Sequence, residues 1–256
     1  MKEDMVSIIT PMYKGAAFVG DAIRSVLAQD YQNWEMIIVD DCSPDGGAGI
    51  AEVKKVAGGD PRVILVESKR NRGSSGARNI ALEKAQGRYI AFLDSDDIWH
   101  DGFLTKQLNF MKQKDAALVF TSYRRIDEDT KEELLRPFVV PDKVTYKSLL
   151  KTNPIAPSTA IIDTAKTPKS YFDEKLGSMR DDYVYLLHLL KKIGVAYGNK
   201  EVLADYRMRK ASATGDKRKV IKPQWNVLYH EEKIGLLPSI YNMICWAWIS
   251  YNKYRK

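Results

Sequence analysis

Cysteine is scarce: the chain has two in 256 residues, Cys42 and Cys245. Two isolated thiols cannot staple a small secreted scaffold, so a reducing, cytoplasmic compartment is expected. The three histidines, His100, His188 and His230, show no zinc-ligand spacing and are given no role. No apolar run reaches the ~18 residues of a membrane span. The opening MKEDMVSIITPMY places acidic residues ahead of a short apolar run, which is not a signal-peptide pattern. No G-x-G-x-x-G follows the first strand-like segment and no Gly-Lys-Ser/Thr closes a phosphate loop. A dinucleotide fingerprint and a Walker loop are therefore both absent. Internal repeats and low-complexity tracts are also missing.

What remains is the composition of a soluble globular protein, 45% apolar and 29% charged. The net charge of +7 is unevenly placed. Residues 1–190 carry 26 basic and 28 acidic side chains, whereas residues 191–256 carry 14 and 5. A basic tail of this kind suits an anionic partner: nucleic acid, a phospholipid surface or an anionic substrate. The basic residues are scattered and no nucleic-acid-binding motif accompanies them, so nucleic acid is not expected.

The first half alternates short continuous apolar runs with amphipathic stretches. Val6 to Thr10, Met36 to Val39, Val63 to Val66, Tyr89 to Leu93 and Ala117 to Phe120 read as strands. Helical spacing separates them, around Phe18–Leu27, Ser75–Ala85 and Phe103–Met111. Continuous apolar strands between helices predict a mainly parallel, doubly wound α/β sheet flanked by helices, with ligands at the carboxyl ends of its strands. After about residue 121 prolines punctuate shorter pieces. Ser158 to Ile162 reads as a strand and Asp182 to Ile193 as a helix.

Acidic residues gather where the strands end: Asp40-Asp41 after the second, Asp94-Ser95-Asp96-Asp97 after the fourth. In a parallel sheet these emerge on one edge. Crowded carboxylates raise one another's pKa unless a cation shares the site, and hard oxygen ligands on a short loop suit Mg2+ or Mn2+. The plainer alternative is that these aspartates close turns and cap helices. The run Arg70 to Arg78 is a basic, Gly/Ser-rich entry to a helix, which suits either an anion or simple capping.

The segments VSIITPMYKGAAFVGDAIRSVLAQDYQNWEMIIVDDCSPD, NRGSSGARNIALEKAQGRYIAFLDSDDIW and MRDDYVYLLHLLKKIG resemble the family 2 inverting glycosyltransferases of GT-A fold, of the bacterial polysaccharide-synthesis type. The resemblance covers residues 5–122 well, 155–210 loosely and the tail hardly at all. It implies that Thr10, Pro11 and Tyr13 lie in the loop holding a nucleotide-sugar donor. Asp41 would read the base, supported by Asp40, and Arg78 would lie beside base and phosphates. Asp94 and Ser95 would meet the donor, and Asp96, with Asp94, would hold Mn2+ or Mg2+. Asp181-Asp182 would supply the general base, with Asp182 in that role; the plain alternative is a helix cap. Tyr206-Arg207 and Ser212 resemble a late loop closing on the donor. Cys42 stands where the family usually has a small residue and is read as packing.

The expected organisation is a nucleotide-sugar-binding half (1–122), an acceptor-side half of the same catalytic domain (123–215) and a helical C-terminal appendage (216–256). The expected activity is transfer from a nucleotide sugar, a UDP-sugar, to a hydroxyl of a glycan or lipid-linked acceptor. A nucleotidyltransferase of related fold and a non-catalytic membrane-docking module stand as alternatives. Leu236 to Ile249 is apolar nearly all round and is followed by Tyr251, Lys253, Tyr254, Arg255 and Lys256. Such a segment suits peripheral contact with the inner face of the cell membrane, or packing on protein.

Overall fold

The structure is a computed structural model that describes residues 2–176, 180–209 and 217–253. The chain runs β1 (Lys2–Met12), α1 (Val19–Leu27), β2 (Trp34–Asp40), α2 (Ala48–Ala57), β3 (Val63–Glu67), α3 (Gly73–Lys84) and β4 (Gly87–Phe92). It continues through β5 (Ile98–Trp99), α4 (Phe103–Lys114), β6 (Leu118–Asp127), β7 (Glu133–Phe138), β8 (Lys143–Thr145), α5 (Tyr146–Leu149) and β9 (Ile161–Asp163). The last elements are α6 (Asp181–Ile193), β10 (Val195–Met208), α7 (Lys217–Asn226) and α8 (Leu236–Lys253).

Among the described residues ten strands form one sheet in the order β3-β2-β1-β4-β9-β6-β10-β5, with β7 on β6 and β8 on β10. The first four positions are parallel throughout. Strand alternation explains why both faces are covered. In β1, β2 and β4 the residues Ile9, Ile37, Val39, Ile90 and Phe92 face a core closed by α3 and α6. Their neighbours Ile8, Met36, Ile38, Ala91 and Leu93 face a second core closed by α1 and α4. A strand apolar on both sides needs helices on both sides, which is the doubly wound arrangement.

The other half of the sheet is mixed. β9 runs antiparallel to both β4 and β6 and separates them. The strand expected from Ser158 to Ile162 begins later, because Pro157–Thr159 forms a 3-10 turn and only Ile161–Asp163 pairs. Proline's fixed φ favours the first position of such a turn and removes a ladder donor.

Register sets the position of the site. Met12 pairs with Asp40, and Ile9 with Phe92. The ends of β1, β2 and β4 therefore release their loops at one edge, the carboxyl end of the parallel strands.

Candidate active site

That edge holds a cleft of about 320 Å³. Pro11, Met12 and Tyr13 from the β1 end form one wall. Asp41, Asn71, Gly73 and Ser74 form a second, and Asp94, Ser95 and Asp96 the floor, with Arg78 and Arg209 reaching in. Of the expected donor-side residues, Thr10 lies fully buried inside β1 and Asp40 turns away from the cleft.

The three acidic clusters share a division of labour. Asp40 accepts from the Ser43 hydroxyl (2.6 Å) and closes the turn, while Asp41 faces the cleft and accepts from the Arg72 backbone N–H (2.8 Å). Burial raises the Asp41 pKa, and that N–H partly offsets it. Gly76 makes the Asn71–Arg72 approach possible, since a Cβ there would stand 2.3 Å from the Arg72 Cβ.

After β4, Asp97 is buried and takes the structural role. It accepts from the Ser158 hydroxyl and from the Arg207 backbone N–H (3.0 Å). Burial and the charges of Asp96 and Asp94 push its pKa well above the usual carboxylate range. Asp96 remains in the cleft with Arg209 Nη1 3.4 Å away, and burial with the charge of Asp94 raises its pKa too. Asp94 is gripped by Arg78 (2.7 Å).

The start of α6 repeats the pattern. Asp181 Oδ2 accepts from Ser74 (2.8 Å), Ser75 (3.0 Å) and Arg78 Nη1 (3.1 Å), and is buried. Arg180, just before it, sits at φ 71°, a left-handed strain that aims the first turn of α6 at α3. Asp182 is half-buried, and its pKa is pushed up to about 6 by burial and then by the charge of Asp181. Burial opposes the Arg78 charge, but Asp94 and Asp181 outweigh it and hold the guanidinium protonated. One buried arginine thus ties the strand-end loop to α6, bringing positions 94 and 181 together from opposite halves of the chain.

Tyr206 and Arg207 prove to be part of β10 rather than a closing loop. The buried Arg207 guanidinium donates to the Asp96 carbonyl (2.7 Å), the Glu128 carbonyl (2.9 Å) and Asp21 (2.9 Å), so it clamps the carboxylate loop from below. Ser212 lies outside the described residues. Cys42 does not pack: it is exposed, at φ 57°, a conformation that favours glycine. Sequence reasoning misses Ser158 and Arg209. Arg209 had one available signal, its position two residues beyond Arg207, just past the end of β10; Ser158 had none.

The model for glycosyl transferase family 2 matches residues 7–173. The chain belongs to that family. The glycosyltransferase is 39% identical over 97% of its length to a Bacillus subtilis (strain 168) protein, TuaG, which bears a provisional name as a teichuronic acid biosynthesis glycosyltransferase; the match covers 95% of TuaG. It is 36% identical over 89% of its length, and 87% of the relative's, to the Escherichia coli UDP-Glc:alpha-D-GlcNAc-diphosphoundecaprenol beta-1,3-glucosyltransferase WfgD. Among solved structures, the Staphylococcus aureus TarS fragment 1–349 with UDP superposes with a TM-score of 0.66 at 20% identity, over 88% of this chain and 66% of that one. The Pyrobaculum calidifontis mannosyltransferase PcManGT, solved with GDP-Man and Mn2+, gives 0.69 at 18% identity, over 95% and 69%. These place the enzyme in the GT-A fold.

No group of three or more His, Cys, Asp or Glu side chains is arranged to hold a metal among the described residues. The donor set nevertheless fits Mg2+ or Mn2+, which bind through one or two carboxylates and take remaining ligands from substrate phosphates and water. Asp96 meets that requirement: its side chain lines the cleft beside Asp94, and a cation there would relieve the crowding that raises its pKa.

Proposed function

We propose that this glycosyltransferase moves a hexose from a UDP-sugar to a hydroxyl of a lipid-linked glycan, by a single displacement that inverts the anomeric centre. The observation that supports the reading is the Arg78 bridge, which ties Asp94 of the cleft to Asp181, the residue preceding the candidate base Asp182. WfgD, named for a UDP-Glc donor and a diphosphoundecaprenol acceptor, supports the substrate classes. On this reading residues 1–122 hold the donor, residues 123–215 receive the acceptor, and the enzyme works peripherally at a membrane.

Asp41 accepts from the base, and Pro11 to Tyr13 cover the nucleoside. Asp96, with Asp94 beside it, holds Mn2+ or Mg2+, whose chemistry when bound is to offset the charge of the leaving diphosphate. Arg78 keeps Asp94 and Asp181 fixed and adds positive charge at the same place. Asp182 takes the proton from the attacking hydroxyl. A sugar hydroxyl is a weak nucleophile, and a carboxylate with a pKa of about 6 is a stronger base than a solvated one while still ionised at neutral pH. No covalent sugar–enzyme intermediate is needed.

The test is titration calorimetry with UDP, with and without Mn2+, beside a donor-hydrolysis screen across nucleotide sugars. Mn2+ should tighten UDP binding in the wild type and not in Asp96→Asn. Equal UDP affinity with and without the metal in the wild type would remove the metal assignment.

A further inference from the structure

The helix α8 packs inward through Met243 and Trp246 but turns most of its large apolar side chains outward. Its inner side holds Ser239 (0% exposed) and Asn242 (6%), while Leu237 (77%), Ile240, Tyr241, Ile244 and Trp248 (67%) face solvent. Their spacing lays these five along a single stripe. The inner polar pair tolerates burial because each bonds within its own helix. The Ser239 hydroxyl donates to the Gly235 carbonyl (2.6 Å) and the Asn242 amide to the Pro238 carbonyl (2.8 Å). No residue from Leu236 to Asn252 is charged. A continuous outward apolar stripe marks a surface that something covers.

Charge decides what covers it. Residues 217–256 carry eight basic and two acidic side chains, and one of those acids, Glu232, is buried against Lys191 (2.6 Å). At one point on the stripe the Lys151 ammonium lies 5.3 Å from the Tyr241 ring. A two-fold contact between copies would set this basic segment against itself. An anionic lipid surface would instead neutralise it, with aromatic rings at the headgroup level and apolar side chains below. No described helix is long and apolar enough to cross a membrane, so α8 would lie in the interface plane.

We infer that the outward stripe of α8 docks this enzyme on an anionic bilayer. The inner side of the same helix sets the consequence. Trp246 lies 5.7 Å from the Arg180 guanidinium, and Arg180 immediately precedes Asp181 and Asp182. Docking would set α8 between the lipid surface and the start of α6, one helix diameter apart. Resting on the reading of Asp182 as the base, this is the end of the site where a lipid-linked acceptor must arrive.

The experiment co-sediments the full chain with phosphatidylcholine vesicles and with phosphatidylcholine–phosphatidylglycerol vesicles, at low and high salt. The expected result is binding to the anionic vesicles that salt weakens. The triple variant Leu237→Ser, Ile244→Ser, Trp248→Ser should lose at least ~10-fold in vesicle affinity. Its thermal midpoint and vesicle-free donor hydrolysis should stay at wild-type values. The inference is overturned if the wild type ignores anionic vesicles, or if the triple variant binds them equally well. A dimer in sedimentation equilibrium that the variant loses would also overturn it, in favour of a second copy. Vesicle binding without hydrolysis of any nucleotide sugar would uphold docking and sink the catalytic reading instead.

Discussion

The loop after β4 and the first turn of α6 face the same difficulty, adjacent carboxylates in a partly buried place, and resolve it alike with different partners. In the loop, Asp97 is fixed by Ser158 and Arg207 while Asp96 stays in the cleft. In α6, Asp181 is fixed by Ser74, Ser75 and Arg78 while Asp182 stays half-buried. One member of each pair builds the site, and the pKa of the other is raised by burial and then by a neighbouring carboxylate, Asp94 for Asp96 and Asp181 for Asp182. The difference lies in what remains nearby. Asp96 has a cation within reach, Arg209, and a cleft in front of it. Asp182 has the charge of Asp181 at its side and keeps a pKa near 6, suited to a proton rather than a metal.

The sharpest way to break this comparison is to neutralise the two free members separately. Asp182→Asn should lower kcat by roughly 10²- to 10⁴-fold, the usual range for losing a general base, and leave UDP affinity unchanged. Asp96→Asn should lose both transfer and the metal-dependent part of UDP binding. Identical phenotypes in calorimetry would mean the two carboxylates do one job. The pH profile tests the same point without mutation. Asp182 acts only when ionised, so kcat/KM should fall about tenfold per pH unit below about 6 and level off above it. A plateau extending down to pH 4.5 would exclude Asp182 as the base.

Neutralising a builder should act on stability. Asp181→Asn leaves the buried Arg78 with one carboxylate partner in place of two and should cost about 3 kcal/mol in denaturant unfolding. Asp182→Asn should do the reverse. Its folded pKa is raised, so the folded state holds its proton over the range where the unfolded chain has released it, and ionisation works against the fold as pH rises. At pH 8 the variant should be more stable than wild type by on the order of 2 kcal/mol, and the gain should vanish below about pH 4. A loss of stability at pH 8 would show that Asp182 is paired after all.

Much of this arrangement was legible in the residues. The apolar runs of β1 to β4 and the aspartates at their ends point by themselves to a cleft at one sheet edge. The builder-and-worker division was not legible, because it depends on Ser158 and Arg207, which arrive from β9's approach and from β10. Nor was the insertion of β9 between β4 and β6, since strand neighbours distant in sequence are fixed by tertiary packing rather than local pattern. The side α8 buries was hidden for a different reason. Serine and asparagine read as outward residues, and only their bonds to the helix's own carbonyls make the inner face available to them.

The turn after β2 offers the smallest and cleanest perturbation. Asp40 builds there and Asp41 faces the cleft, but the next residue is a cysteine held at φ 57° and exposed to solvent. A left-handed conformation costs an L-residue about 1–2 kcal/mol, and glycine escapes that cost while adding backbone entropy to the unfolded chain. The two effects oppose each other, and the strain is the larger. Cys42→Gly should therefore raise stability by about 0.5 kcal/mol, read as a higher denaturant midpoint at unchanged m. UDP affinity should not move, because Asp41 keeps its contact with the Arg72 N–H. A drop in the midpoint would mean that the thiol packs, and that Asp40 and Ser43 alone do not hold this turn.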